Sequence, residues 1–284
     1  MEIRFDNVTY KNKYKDMNFS IYSKYIYGIC LEHSITFEKL LTKELSVSKG
    51  KITFKGMKRK KPIVTVVDSN YIHFFTDTVK SEINYYCKKN KVTDKSFKEF
   101  LEKYLENIGL EISILNKKIS ELSTSEKYLF YVFLKTLFKF DVVIFRNLYF
   151  NLDKNNRRNI KHILSVFSSN NKVVIIEDNL DVLYEVTDEV LVIKNGSALL
   201  NGDTKEELIN VSLLLNNSIV PPTLPYITYL AKENKNVKLF YHTDIRDIIK
   251  DIYKQVIHCS IFNILYAEIP AIAVGAIGMC RRLG

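Results

Sequence analysis

The stretch from Tyr27 to Leu41 reads YGICLEHSITFEKLL, an apolar run followed by an amphipathic one. Its hydrophobic periodicity predicts a strand over Lys24 to Cys30 and a helix over Thr36 to Leu45. A turn between a strand and a helix N-terminus places backbone N–H groups where they can hold an anion. The stretch has one glycine, Gly28, and no lysine at the start of the helix. It therefore has the place of a phosphate-binding loop without the usual residues.

The segments on either side continue the alternation of strands and helices. Short apolar strings, of the kind that strands buried on both faces need, alternate with runs of helical periodicity. This order predicts an α/β fold with a mainly parallel sheet and crossover helices. Asn195 and Gly196, between two apolar runs, predict a hairpin. The predicted strands are EIRFDNVTY, KYIYGIC, KITFKG, PIVTVVD, VVIFRN, KVVIIED and EVLVIKNG.

The composition narrows the class of protein. The chain has 284 residues and is 46% apolar, enough for one large domain with an appendage or two modest domains. Its formal net charge is +10, but the lysines are spread along predicted helix faces, so no nucleic-acid partner is expected. The four cysteines form no Cys-x-x-Cys pair, which argues against a zinc site or a disulfide framework. The start, MEIRFDNVTY, has no cationic and apolar leader, so export is not expected.

The amino-acid composition of the chain changes toward its C-terminal end. We expect a main domain over residues 1–215, a small helical subdomain over residues 216–257 and an apolar tail over residues 258–284. The subdomain contains the proline-rich VPPTLP and the amphipathic run DIRDIIKDIYKQV. The tail includes Asn263, Glu268 and Pro270, which favours a docked or disordered tail over a membrane span. A frame-shifted end is a further alternative.

Further motifs follow the opening stretch in a fixed order. They are VVDSNYIHFFTDTVKSEINY, ISELSTSEKYLFYVFLKTLFKFDVVIFRNLYFNLDKNNRR and KVVIIEDNLDVLYEVTDEVLVIKNG. From Met1 to Val256 this order resembles an ABC-transporter ATPase subunit, and FFTDTVKSEI and PPTLPYITYLAKE resemble the variant of energy-coupling-factor (ECF) importers. The resemblance implies an ABC-type P-loop ATPase-like domain with N-terminal antiparallel strands, a helical signature subdomain and a small C-terminal helical extension. It also implies ATP and Mg²⁺ as ligands.

The phosphate-loop positions depart from the family pattern. Leu31, Ser34 and Thr36 stand where the resemblance implies glycines, and Phe37 stands in place of the lysine. A branched residue such as Thr36 resists left-handed backbone geometry by about 1–2 kcal/mol. A phenyl ring carries no charge for a phosphate, so the loop lacks the chemistry that the family uses.

Four further positions of the same reaction centre depart from the family pattern. Arg146 and Asn147 stand where the resemblance implies a magnesium-binding aspartate and a water-orienting glutamate. Arginine does not bind Mg²⁺, and Asn147 cannot accept a proton as a general base. Asp68 takes the position of the glutamine-loop residue, and Asp178 that of the switch histidine. We therefore predict no catalytic residue in this chain and assign no cofactor to its own site.

The signature region is partly kept. In the family two subunits sandwich the nucleotide, so the signature LSTSE implies that Ser123 faces ATP and Mg²⁺ held by a partner. The alternative is that Ser123 and Glu126 form a capping box at a helix start. The resemblance also implies an aromatic residue near the N-terminus that stacks on adenine. Tyr14 is the candidate, with Tyr10 as the alternative residue and simple packing as the alternative role.

Four residues are candidates for contacts with other subunits. Asp153 matches the loop that meets the opposite ATPase subunit, and its alternative role is a helix N-cap. Asp77 is expected to start the helix DTVKSEINYY, which resembles the element that docks the membrane subunit. Lys80 and Glu82 are the predicted contacts there, with a solvated helix face as the alternative.

These observations lead to one functional hypothesis and two alternatives. The hypothesis is a degenerate pseudo-ATPase subunit of an ECF-like importer, the structural half of a heterodimer with an ATP-competent partner. It is expected at the cytoplasmic face of the membrane, peripherally bound to a transmembrane coupling subunit. The first alternative is a divergent but active ATP-hydrolysing subunit. The second is a basic interaction or nucleic-acid-binding module, whose affinity is expected to fall steeply with salt.

Overall fold

The computed structural model describes residues 2–22, 24–56, 62–91, 97–235, 239–242 and 244–256. The chain divides into two compact units between Pro222 and Thr223, seven residues beyond the boundary that the sequence predicts between residues 215 and 216. The predicted apolar tail, residues 258–284, lies outside the described residues.

Strands and helices alternate along most of the described chain. The strands are β1 (Glu2–Tyr10), β2 (Tyr14–Tyr22), β3 (Ile26–Leu31), β4 (Lys49–Lys55), β5 (Val64–Asp68), β6 (Val142–Arg146), β7 (Lys172–Ile176), β8 (Glu189–Lys194) and β9 (Ser197–Asp203). The helices are α1 (Ser34–Leu41), α2 (Val79–Lys89), α3 (Phe97–Asn107), α4 (Thr124–Thr136), α5 (Lys154–Asn170), α6 (Leu180–Val186), α7 (Thr204–Glu207), α8 (Val211–Asn216), α9 (Thr223–Lys235) and α10 (Ile245–Val256). Two 3-10 helices cover Ile112–Asn116 and Ile119–Glu121.

The strands form two sheets. A six-stranded sheet has the order β5-β6-β7-β3-β8-β9, and a three-stranded sheet has the order β2-β1-β4. In the larger sheet β5, β6, β7, β3 and β8 are parallel, and β9 is antiparallel to β8. The smaller sheet is antiparallel. This arrangement confirms the predicted α/β fold with a mainly parallel sheet and antiparallel N-terminal strands.

The central strands of the larger sheet are buried on both faces. Along β6, Val143 and Phe145 belong to a hydrophobic cluster with the helices, whereas Val142 and Ile144 belong to a second cluster with β1, β2 and α1. Alternate residues of a strand point to opposite faces, so a strand between two apolar layers must be apolar throughout. This explains the continuous string VVIF in the sequence.

Local backbone geometry sets the ends of β9 and α1. Asn195 and Gly196 both have positive φ, 51° and 78°, as a tight hairpin between β8 and β9 requires. Helix α1 begins at Ser34 and ends at Leu41, not at Thr36 and Leu45 as predicted. Its N-cap, His33, is left-handed (φ 64°), and Lys43 is left-handed just beyond its end (φ 58°).

The second unit contains α9 and α10. Asp244 lies just before α10 and accepts a hydrogen bond from the backbone N of Arg246 (2.9 Å). His242 Nε2 lies 2.6 Å from the Asp251 carboxylate. Among the described residues, none of the helices has the length and apolar character that crossing a bilayer requires.

Candidate nucleotide site and partner surfaces

Tyr14 is hydrogen-bonded to the turn between β3 and α1. The Tyr14 hydroxyl donates to the carbonyl oxygens of Glu32 (3.0 Å) and His33 (2.9 Å). Its side chain is enclosed, with the residue only 1% exposed, and burial raises the pKa of the hydroxyl. An enclosed ring presents no face to a base, so the predicted adenine-stacking role does not fit this placement.

Phe37 lies in the core. It is 0% exposed, and its ring packs near the rings of Phe5 (5.5 Å between centroids), Phe19 (6.3 Å) and Tyr14 (6.3 Å). The position where the family pattern implies a phosphate-binding lysine is therefore an aromatic anchor of α1. A substitution of this kind exchanges a ligand contact for packing energy.

A lysine that the motif comparison missed does reach the turn. Lys13 Nζ donates to Thr36 Oγ1 at 2.9 Å, so a cation from the β1–β2 turn lies at the first turn of α1. No local pattern in the sequence links these two residues. Gly28, the one glycine kept, has a packing reason: a Cβ there would lie 2.8 Å from Thr187 Cγ2 and 3.0 Å from Leu183 Cδ2.

Arg146 lies at the centre of a charged cluster, the Arg146 cluster, formed with Asp68, Glu38 and Ser34. Its Nη1 lies 3.2 Å from Asp68 Oδ2 and 3.8 Å from Glu38 Oε2, and its Nη2 donates to Ser34 Oγ at 3.1 Å. The Arg146, Asp68 and Glu38 side chains are 19%, 9% and 21% exposed. Burial raises the pKa of Glu38, and the positive charge of Arg146 opposes that rise. Glu38 and Ser34 were not predicted as partners of Arg146.

The ends of β6 and β7 hold the remaining predicted positions. Asn147 is left-handed (φ 53°), and its carbonyl oxygen accepts from Ser69 Oγ at 2.6 Å. Asp178 is exposed. Its neighbour Glu177, which the sequence analysis did not select, accepts from the backbone N of Leu148 at 3.2 Å, and burial raises its pKa.

These residues do not fit a magnesium–nucleotide centre of the family type. A guanidinium stands between Asp68 and Glu38, and the phenyl ring of Phe37 is turned into the core. Nucleotide phosphates are anionic, and Glu38 and Asp68 add negative charge beside the turn. In the part of the chain that the structure describes, no group of three or more His, Cys, Asp or Glu side chains is arranged to hold a metal ion.

Ser123 is the N-cap of α4. Its Oγ accepts from the backbone N of Glu126 (3.2 Å), and its own backbone N donates to Glu126 Oε2 (2.8 Å), which forms a capping box. The backbone N–H of Ser123 lowers the pKa of Glu126, and Lys117 Nζ lies 3.1 Å from the same carboxylate. The capping alternative is thus present in the structure. Ser123 is also exposed, so contact with a partner's nucleotide stays a prediction.

Asp153 caps α5. Its Oδ1 accepts from the backbone N of Asn155 and Asn156, both at 2.9 Å, and its Oδ2 accepts from Ser125 Oγ at 3.0 Å. The backbone N–H of Asn156 makes the largest contribution to a lowered pKa of Asp153. The predicted contact with an opposite subunit stays a prediction for this exposed residue.

The predicted docking helix begins later than expected, and one predicted contact is enclosed. Helix α2 starts at Val79 with Thr78 as N-cap, because the Thr78 side chain accepts from the backbone N of Ser81. Asp77 therefore precedes the helix. Glu82 is 0% exposed and accepts from the backbone N of Thr76 (2.8 Å) and from Thr76 Oγ1 (2.9 Å), so it is not available to a partner.

The other residues at this surface are open. Asp77 and Lys80 are exposed, and their contacts with a membrane subunit stay predictions. Phe75 and Tyr85, which the sequence analysis did not select, are 55% and 36% exposed, and their ring centroids are 4.8 Å apart. Exposed aromatic pairs are frequent in protein–protein interfaces.

Sequence comparisons place this chain near one group of proteins. No protein-family model matches the chain. The energy-coupling factor transporter ATP-binding protein EcfA2 of Mycoplasmoides gallisepticum is 24% identical over 214 residues, covering 74% of this chain and 67% of the relative. The protein of the same name from Mycoplasma pneumoniae is 25% identical over 195 residues, covering 68% and 64%. The matches thus span about two thirds of the length of these relatives.

Structural comparisons agree. CbiO1 of Clostridium perfringens, part of the ABC transporter complex CbiONQ, has a TM-score of 0.62 and 19% identity, covering 81% of this chain and 98% of that one. A putative metal-chelate type ABC transporter in an inward-facing conformation has a TM-score of 0.63 and 14% identity, covering 77% and 89%. These likenesses confirm the predicted fold, and the sequence relatives confirm the predicted resemblance.

Proposed function

We propose that this chain, which is similar in sequence to ECF transporter ATP-binding proteins and has the ABC ATPase fold, is an importer subunit whose own nucleotide site is inactive. It pairs with an ATP-competent ATPase subunit and forms the structural half of a heterodimer. The heterodimer lies peripherally at the cytoplasmic face of the membrane, beneath transmembrane subunits. Because fold alone does not establish activity, the proposal depends on the site residues.

One observation carries the proposal: the Arg146 cluster occupies the centre where the family pattern implies the metal. Arg146 replaces an aspartate. Glu38 directly follows Phe37, so Glu38 stands where the P-loop pattern has a metal-binding Ser or Thr. The two replacements have opposite charge and lie 3.8 Å apart. Arg146 also lies 3.2 Å from Asp68, so the cluster places its one guanidinium beside two carboxylates. The Arg146–Glu38 pair therefore supports a centre held together by ion pairs instead of by a metal ion.

Other exposed residues carry groups suited to a partner. Ser123 combines an exposed hydroxyl with the N-terminus of the thirteen-residue helix α4. The positive end of a helix dipole favours phosphate. Asp153 accepts a hydrogen bond from Ser125, two residues after Ser123. Asp77, Lys80, Phe75 and Tyr85 are exposed within α2 or just before it. In the proposed heterodimer, ATP and Mg²⁺ are held by the partner's phosphate loop opposite Ser123.

The first test is thermal unfolding of the purified chain with and without millimolar Mg-ATP. A ligand at about 100 times its Kd adds roughly 2.7 kcal/mol, which is on the order of 5 °C for a chain of this size. We expect no shift. MgCl₂ without ATP is the control. A clear shift that disappears with EDTA contradicts the inactive-site proposal.

A second test measures ATP hydrolysis. The chain alone is expected to be inactive, and the transporter assembled with its ATP-competent partner is expected to be active. Within that assembly Asn147→Ala is expected to leave turnover within about twofold, because Asn147 carries no general-base chemistry. Hydrolysis by the chain alone that Asn147→Ala abolishes overturns the proposal.

A second candidate function is a divergent active ATPase, and Lys13 is the observation in its favour. Its ammonium group lies 2.9 Å from Thr36 at the first turn of α1, and Glu177 supplies a carboxylate at the end of β7. If this candidate is correct, Lys13→Met abolishes binding of Mg-ATP, while Lys15→Met, at an exposed neighbouring lysine, leaves it unchanged. No binding by the unmodified chain excludes it.

A further inference from the structure

The Arg146 cluster joins three separate parts of the first unit. Arg146 ends β6, Asp68 ends β5, and Glu38 and Ser34 belong to α1. Asp68 and Arg146 are also direct partners in the register of the parallel strands. The guanidinium therefore bridges a helix and two strand ends, as a metal ion does when its ligands come from several elements.

The segment that follows β5 is held by the same residues and their neighbours. The Asp68 carboxylate accepts from the backbone N of Asn70 (3.0 Å). Ser69 Oγ donates to the carbonyl oxygen of Asn147 (2.6 Å), and Asn151 Nδ2 donates to the carbonyl oxygen of Ser69 (2.6 Å). Residues 68–70 are thus tied to the end of β6 and to the loop beyond it. From there the chain runs through residues 71–78 into α2, whose start carries the exposed Lys80.

A guanidinium differs from a metal ion in one decisive respect. It is covalently part of the chain and stays charged at every physiological pH, so it is neither lost nor exchanged. A metal ion bound with a nucleotide leaves with it, and a loop that depends on that ion then has two states. A loop bound to arginine has one.

We infer that Arg146 is a built-in cation that takes the place of the divalent metal and holds the loop after β5 in one position, with or without nucleotide. This inference rests on the proposed function and deepens it, because it removes nucleotide control from the path between this site and α2. In the heterodimer, only the partner's equivalent loop then responds to ATP.

The test is hydrogen exchange of the backbone amides in residues 69–78, measured on the whole chain without nucleotide. Arg146→Met keeps an unbranched side chain of similar reach and removes the charge. We expect protection in this segment to fall about tenfold or more, since removing the guanidinium leaves the buried Asp68 carboxylate and the largely buried Glu38 carboxylate without a counter-charge. Arg246→Met is the matched control, because Arg246 is also paired with an aspartate but is 78% exposed and lies in the second unit.

Two further variants keep the test decisive. Asp68→Asn retains an oxygen that can accept from Asn70 and removes only the charge, so it serves if Arg146→Met does not fold; the same direction of change is expected. Unchanged exchange in the variant that folds overturns the inference that the cluster holds the loop. Arg146→Asp brings three carboxylates together, and MgCl₂ alone is expected to restore at least part of its lost protection.

The metal-replacement part of the inference fails if MgCl₂ restores nothing in Arg146→Asp. It also fails if MgCl₂ protects the same segment in the unmodified chain. Neither measurement uses ATP. The proposed function, by contrast, fails if Mg-ATP stabilises the unmodified chain, so the two failures are distinguishable.

Discussion

Lys172 is the first residue of β7, and its residue surface is 0% exposed. Its Nζ has no hydrogen-bond partner among the described residues. By strand alternation it shares a face with Val174 and Ile176, which pack in the cluster formed with the N-terminal sheet. Burial lowers the pKa of Lys172 to about 8, and the charges of Asp141 and Glu2 oppose that lowering. We expect Lys172→Met to stabilise the protein.

The magnitude follows from the pKa. A lysine whose pKa falls from 10.5 in the unfolded chain to about 8 in the folded one destabilises the folded state at neutral pH by on the order of 3 kcal/mol, at about 1.4 kcal/mol per pKa unit. Methionine has a similar length and no charge. The free energy of unfolding is therefore expected to rise by about 2–3 kcal/mol, or on the order of 5–10 °C in Tm.

The pH dependence has a definite sign. Because the folded pKa is lowered, the unfolded state binds more protons between pH 8 and 10.5, and stability rises with pH across that window. The advantage of Lys172→Met is thus complete below about pH 8 and disappears toward pH 10.5. Urea unfolding at several values from pH 7 to 10 measures it, with the exposed Lys15→Met as control. An advantage that is absent at pH 7, or independent of pH, refutes the reasoning.

Three further predictions address other residues. Glu82→Gln is expected to lower the free energy of unfolding by about 2–3 kcal/mol in chemical denaturation, because one of the two buried oxygens that accept from Phe75 and Thr76 becomes an N–H donor, whereas Lys80→Gln changes it little. Ser123→Ala is expected to lower the free energy of unfolding by about 1 kcal/mol, because the N-cap of α4 is lost. Ser123→Asp is expected to keep the cap and the stability but to lower ATP turnover of the assembled transporter, because its charge repels the partner's phosphates. Equal turnover means that Ser123 does not contact the nucleotide. Gly28→Ala is expected to lower Tm through overpacking of about 1–3 kcal/mol against Thr187, and an unchanged Tm means that the contact relaxes freely.

The fold was predictable because its determinants are local. The continuous apolar strings of β6 and β7 predict strands covered on both faces, and the Asn195–Gly196 pair predicts the hairpin between β8 and β9. The start of α1 was misplaced because its cap, His33, is left-handed, and no glycine or asparagine marks that conformation in the sequence. The sequence therefore predicts the type of each of these elements, but it does not predict the residue at which α1 begins.

The candidate site was predictable only as a set of departures from a pattern. The sequence indicates that Arg146 cannot bind a metal, but it does not indicate what Arg146 binds instead. The partner Ser34 is 112 residues away along the chain, and Glu38 belongs to the same distant helix. These contacts form because the fold brings α1 to the ends of β5 and β6. The spacing of the residues in the sequence therefore does not predict them.

The same geometry makes the two nucleotide sites of the proposed heterodimer unequal. One site combines this chain's phosphate-loop position, with Phe37 in the core, and the partner's signature. The other combines the partner's phosphate loop and this chain's Ser123. In Ser123 the Oγ acts as acceptor for the backbone N of Glu126, so its own hydrogen is left to donate elsewhere. Helix capping and contact with a partner's phosphate are therefore compatible in one side chain, and changes at Ser123 are expected to reach turnover where changes at Lys13 or Asn147 do not.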